Sequence, residues 1–102
     1  MTGLRWTLPA LDDVTEIRAY IARDSAHYAR LQVERLFAAV ERLREFPLAG
    51  RIVPELQQGI YRELLEGTYR IVYRVTADEV QILTVVHSAR LLPTARVTEA
   101  HD

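Results

Sequence analysis

The apolar positions of this chain change period part-way along its length. In the first half they recur every three or four residues. Leu11, Val14, Ile17 and Ile21 make one such series, and Ala29, Val33, Leu36, Phe37, Val40 and Leu43 make a second. That spacing lines one face of an α-helix. It predicts a first helix running to about Arg23 and a longer second helix. Asp12 and Asp13 supply the N-cap and first-turn acids of the first, and Asp24-Ser25 breaks and recaps the chain. Phe46-Pro47 ends the second helix, because the residue before proline avoids the helical region. The joint between the helices is very short, so they should pack as an antiparallel hairpin. Ahead of them, Leu4–Leu8 alternates around Trp6 as a short strand that Pro9 ends.

In the second half the period falls to two. Ile60–Leu65, Tyr69–Val75 and Val80–His87 are β-branched and aromatic runs, separated by Glu66-Gly67-Thr68 and Thr76-Ala77-Asp78-Glu79. Short turn-like connections imply antiparallel hairpins. Leu48–Gly59 has loop composition. The predicted order is β-α-α-β-β-β. This is an α+β domain with a helix hairpin packed on a small, mostly antiparallel sheet whose other face is left uncovered. Within Tyr69–Val75, Tyr69, Ile71, Tyr73 and Val75 fall on one face as core, while Arg70, Val72 and Arg74 fall on the other.

Composition narrows the classes. The 102 residues fit a single domain, with a core at about 4–92 and a tail, 93–102, expected to be mobile or partner-dependent. Cysteine is absent, which excludes disulfides, thiolate nucleophiles and Cys-ligated zinc. His27, His87 and His101 lack metal-site spacing, and no Gly-rich phosphate loop occurs, so no cofactor is expected. With no apolar leader and no run of membrane-spanning length, the expectation is a cytoplasmic protein that engages no membrane. The net charge is −1. All thirteen basic residues are arginines. Any basic patch must therefore come from segregated charges and not from surplus.

The residues also carry a resemblance. Ala10-Leu11-Asp12-Asp13 is followed by Tyr20-Ile21-Ala22. Further on come Gly50-Arg51-Ile52-Val53-Pro54-Glu55, Arg62-Glu63-Leu64 and Tyr69-Arg70-Ile71-Val72-Tyr73-Arg74-Val75. Val80-Gln81-Ile82, Val85-Val86-His87 and Arg90 complete the series. In this order and spacing they resemble the ParE/RelE toxin family of type II toxin–antitoxin systems, also called plasmid-stabilisation proteins. The Val-Pro-Glu loop and the Tyr-Arg-Ile-Val-Tyr-Arg strand lie closer to the ParE branch. The resemblance implies a toxin held inactive in a heteromeric complex with a cognate antitoxin. It implies either of two targets: DNA gyrase for ParE-like members, or mRNA in the ribosome for RelE-like members, which cut it without metal.

Metal-independent RNA cleavage needs a base for the 2′-OH, an acid for the leaving oxygen and cations for charge on the phosphate. Arg62, Arg70, Arg74 and Arg90 are the candidate anion- or target-binding residues, and His87 the candidate proton carrier. In RelE-like nucleases an Arg of the middle strand and a His or Tyr near the end of the last strand are functional. Arg70 and His87 match those places and would be catalytic only in that branch. Glu55 and Glu63 are candidates for acid–base work or for salt bridges to the arginines. Between Arg51 and Arg96 six arginines face five acids, a near-cancellation that weighs against a dedicated RNA-binding surface.

Overall fold

The structure, a computed structural model, describes residues 2–99. Strand β1 (Gly3–Trp6) leads into helix α1 (Leu8–Ala22) and helix α2 (Ala26–Glu41), which a 3-10 turn extends through Arg44. Strands β2 (Arg51–Ile52), β3 (Tyr61–Glu66), β4 (Tyr69–Val75) and β5 (Glu79–His87) follow, then a short helix α3 (Thr94–Glu99). They form one sheet in the order β1-β5-β4-β3-β2. β1 runs parallel to β5, and the remaining pairs are antiparallel. The predicted α+β order therefore holds with two additions. β2 is a two-residue edge strand inside the stretch whose composition predicts a loop. α3 lies inside the predicted tail, whose last residues, 100–102 with His101, fall outside the described ones.

The first helix begins earlier than its acids suggest. Thr7 is the N-cap: its Oγ1 accepts from the Ala10 amide at 3.3 Å. Pro9 sits in the first turn, where its missing N–H has no partner to lose. The same Thr7 hydroxyl donates to the Ile82 carbonyl at 2.7 Å, tying the helix start to β5 where β1 ends. Asp12 and Asp13 consequently lie inside α1, and Asp13 is free for other use. α2 follows the predicted pattern, with Ser25 Oγ accepting from the Tyr28 amide at 3.1 Å.

The main core joins α1 and α2 to the sheet. Ala10, Val14, Leu36, Val40 and Leu43 meet Tyr69, Ile71, Tyr73, Val80, Ile82 and Val85. The opposite sheet face is covered, contrary to the expectation. Val72 and Leu83 on it are fully buried beneath Val53 and Tyr61 on one side and Leu92 and Val97 on the other. Burying a Val or Leu contributes about 1.5–3 kcal/mol, so an uncovered face bearing two of them would forfeit several. Two of these side chains, Val53 and Leu92, come from irregular segments, which have no period to read.

β5 outruns β1. Their pairing stops at Trp6 opposite Ile82, while β5 continues to His87. Asp13 of α1 fills this gap. Its Oδ2 accepts from Thr84 Oγ1 at 2.5 Å and from the Val85 amide at 3.0 Å. Its Oδ1 accepts from Arg96 of α3 at 3.1 Å, and Arg96 also donates to the Pro9 carbonyl at 3.1 Å. One buried carboxylate thus fastens α1, β5 and α3 together.

Candidate functional site

Arg70 projects from β4 onto the face shared with Val72, and its guanidinium is engaged by two carboxylates. Nη1 and Nη2 donate to the two oxygens of Glu55 at 2.7 and 2.8 Å. Nε donates to Glu63 at 2.8 Å, and Nη2 makes a second, shorter contact with the same oxygen. Arg51 holds the other Glu63 oxygen through Nε at 2.7 Å. The result is an alternating chain, Arg51–Glu63–Arg70–Glu55. Glu63 has no exposed side-chain surface and Arg70 only 9%. A buried carboxylate survives as an ion only with such pairing. The hydrogen bonds it donates to Glu55, outweighing the opposing effect of burial, hold Arg70 above the ordinary arginine range. Reciprocally, the hydrogen bond from Arg70 pulls the Glu55 carboxyl below its ordinary value.

A second arrangement lies on the opposite face of the sheet, at the C-terminal end of β5. A cleft of about 660 Å³ opens between α1, the adjoining ends of β4 and β5, and the segment leading to α3. Tyr69, Val85, His87 and Arg90 line it, with Glu16 and Tyr20 of α1. The His87 ring meets Tyr69 edge-on at 5.6 Å. Its Nδ1 accepts from the Ala89 amide at 3.0 Å, so the neutral ring carries its proton on Nε2. Burial pushes the Tyr69 phenol up and keeps it protonated.

The sequence-selected residues divide between these places. Tyr69 pairs with His87 and Arg70 with Val86, so Arg70 and His87 are neighbours in register that point to opposite faces of the sheet. Arg62 pairs with Tyr73, on the helix side, and donates to the Gly50 carbonyl at 2.9 Å. Arg74 shares the Arg70 face, opposite Tyr61 and Gln81. Arg90 stays with His87. The expected single patch of Arg62, Arg70 and Arg74 is thus spread over both faces, because one step along a strand reverses the side chain. Glu55 and Glu63 are ion-pair partners of Arg70 and do not line the cleft. Among the described residues, no group of three His, Asp or Glu side chains could hold a metal ion.

The chain matches the sequence model of the ParE toxin of the type II toxin–antitoxin system parDE over residues 4–92. It belongs to the ParE toxin family. The toxin is 39% identical over 90 residues to Y4kP of Sinorhizobium fredii, a protein named as a toxin candidate, covering 88% of this chain and 92% of that one. It is 38% identical over 92 residues to the toxin RelE2 of Caulobacter vibrioides, covering 89% of this chain and 100% of that one. In structure it resembles a chain of the chromosomal ParDE system of P. aeruginosa. That match has a TM-score of 0.71 and 27% identity, over 85% of this chain and 96% of that one. As a type II toxin of the ParDE kind, it has a cognate antitoxin for a partner. No helix among the described residues is long and apolar enough to cross a membrane.

Two residues of the quoted motifs have a role in this toxin's layout that the motifs do not reveal. Asp13 stands three residues after Ala10 and four before Ile17, on the apolar stripe of α1. An acid there signals a buried partner, although nothing local names Thr84 or Arg96. Arg51, which completes the buried ion chain, lies in the two-residue strand β2, too short to show a period that would point it at Glu63.

Proposed function

We propose that this toxin arrests growth by binding and inhibiting DNA gyrase, and that it is neutralised by its antitoxin. The observation that carries this reading is the disposition of Arg70 and His87. Cleavage of an RNA phosphate by these two would need the cation and the proton carrier on one phosphate. Here they lie on opposite faces of the sheet, and Arg70 is already bonded to Glu55 and Glu63. The near-neutral charge agrees, since a chain without cationic surplus draws little affinity from a nucleic-acid backbone. The family match points the same way, toward the ParE branch.

The test uses purified toxin free of antitoxin. Supercoiling by gyrase should fall and cleaved DNA–gyrase complexes should accumulate at micromolar toxin; no effect on either rejects the proposal. One feature favours the ribosome-dependent nuclease instead: His87 is exposed beside Arg90 in an open cleft. Toeprinting of a translating ribosome decides that alternative. Codon-edge cuts that disappear in His87→Ala would establish it.

A further inference from the structure

We infer that the cleft beside α1 binds a small phosphate ester of an aromatic base, a nucleoside monophosphate. Tyr69, His87 and Arg90 hold its phosphate, and Glu16 and Tyr20 hold its base. The inference does not depend on which target the toxin inhibits. It starts from Tyr69, which is only 7% exposed and whose hydroxyl has no hydrogen-bond partner among the described residues. Native proteins pair nearly all their buried hydroxyls, because an unpaired one forfeits its hydrogen bonds to water. A phenylalanine would pack the core as well and keep the edge-on contact with His87. The phenol is instead set in the wall of a cleft of about 660 Å³, a size that suits a small molecule. Burial, reinforced by the neighbouring Tyr20 phenol, keeps it protonated, so it stands as a donor.

Two further donors line the same cleft. The Ala89 amide occupies His87 Nδ1, which leaves Nε2–H to donate. The Arg90 guanidinium is exposed and unpaired among the described residues. Three donors, one of them a cation, complement the oxygens of a phosphate. Arg96 also lines the cleft, but Asp13 and the Pro9 carbonyl already engage it. The remaining charge is the Glu16 carboxylate, exposed and likewise unpaired among the described residues. It repels a second phosphate and accepts N–H groups, of which a guanine base offers two side by side. Tyr20 stands four residues on, on the same face of α1, and is 67% exposed, so it gives that base a ring to lie against. Arg23 lies over the Tyr20 ring, 5.7 Å from its centroid, and steadies it. Affinity for a nucleic-acid strand comes from several cations on successive phosphates. One unpaired arginine beside a carboxylate suits a single nucleotide instead.

The experiment is titration calorimetry on the full-length toxin free of antitoxin, with GMP, inorganic phosphate and a short single-stranded RNA as probes. GMP should bind with a Kd below about 1 mM, and about tenfold or more tighter than inorganic phosphate. Tyr69→Phe should weaken GMP about tenfold, the loss of one hydrogen bond to a charged group, while the toxin unfolds at the wild-type temperature or above. Arg90→Ala, at an exposed side chain, should weaken GMP and phosphate alike by about tenfold or more. Glu16→Ala should weaken GMP and leave phosphate unchanged or tighter. A GMP Kd above about 1 mM overturns the proposal. Phosphate that binds as tightly as GMP also overturns it, leaving an anion site without a base. RNA that binds about tenfold or more tighter than GMP overturns it in favour of the nuclease reading of this cleft. GMP affinity unchanged in both Tyr69→Phe and Arg90→Ala places the nucleotide elsewhere and overturns it too.

Discussion

Glu63 is the residue on which the second face of the sheet depends electrostatically. Its carboxylate is out of contact with water and lies between Arg70 and Arg51. Removing one partner of a buried ion chain leaves the other charge uncompensated, which costs about 3–5 kcal/mol. Glu63→Ala should therefore destabilise the toxin by that amount in urea unfolding. Glu63→Gln keeps acceptor geometry and should cost less; equal loss in both would mean that shape, not charge, holds the site. Glu55 belongs to the same chain but faces solvent, and its effect is read through pH. Its carboxyl is held below the ordinary 4.5, first by the hydrogen bond from Arg70. A depressed carboxylate adds stability above its unfolded pKa and loses it as pH falls through the folded value. The Glu55 contribution should thus be constant from pH 7 down to about 5.5 and fade below about 4.5. In Glu55→Gln the acid limb of a stability–pH profile should be shallower. An unchanged limb would show that the pair adds nothing in solution.

At the scale of elements, Asp13 sets how α1, β5 and α3 meet. Without it the Val85 amide and the Thr84 hydroxyl lose their acceptor at the point where β1 has ended, and Arg96 loses its anchor. An unsatisfied buried donor costs about 1–3 kcal/mol. Asp13→Ala should lower stability by about 2–3 kcal/mol. Amide exchange in α3 should quicken more than in α2, and equal quickening in both would separate α3 from this carboxylate. The elements themselves were largely legible. The period-two run Tyr69–Val75 gave β4 with its exact ends, and the 3.6-residue stripes gave both long helices. Legibility failed where geometry is non-local. Pro9 looks like a strand terminator until Thr7 is seen capping a helix whose first turn contains Pro9. The cover over Val72 comes from Val53, Tyr61, Leu92 and Val97, which only the fold brings together. The site was harder still. The residue types were visible, but a strand period cannot tell which arginine will find two carboxylates. Arg70 found them in Glu55, fifteen residues earlier, and in Glu63, across the hairpin.

The whole molecule leaves large apolar side chains in water. Leu8, Tyr20, Tyr28 and Leu91 are each about two-thirds exposed or more. They are spread along both long helices and the segment after β5, so no single fold of the chain can hide them. The antitoxin is the partner available to cover such surface. A ligand that binds only the folded state stabilises it by mass action, and free antitoxin at about 1,000 times its Kd adds about 4 kcal/mol. For a domain of this size each kcal/mol moves Tm by about 4–8 °C, so saturation should raise it by roughly 15–30 °C. Tm should also climb steadily with free antitoxin, because each tenfold increase adds about 1.4 kcal/mol. Scanning calorimetry across an antitoxin titration measures this directly. A Tm that stays flat would mean the antitoxin does not select the folded toxin, and neutralisation would then have to act on a partly unfolded chain. A steady climb, with the toxin recovered active on dilution, places neutralisation on the native surface.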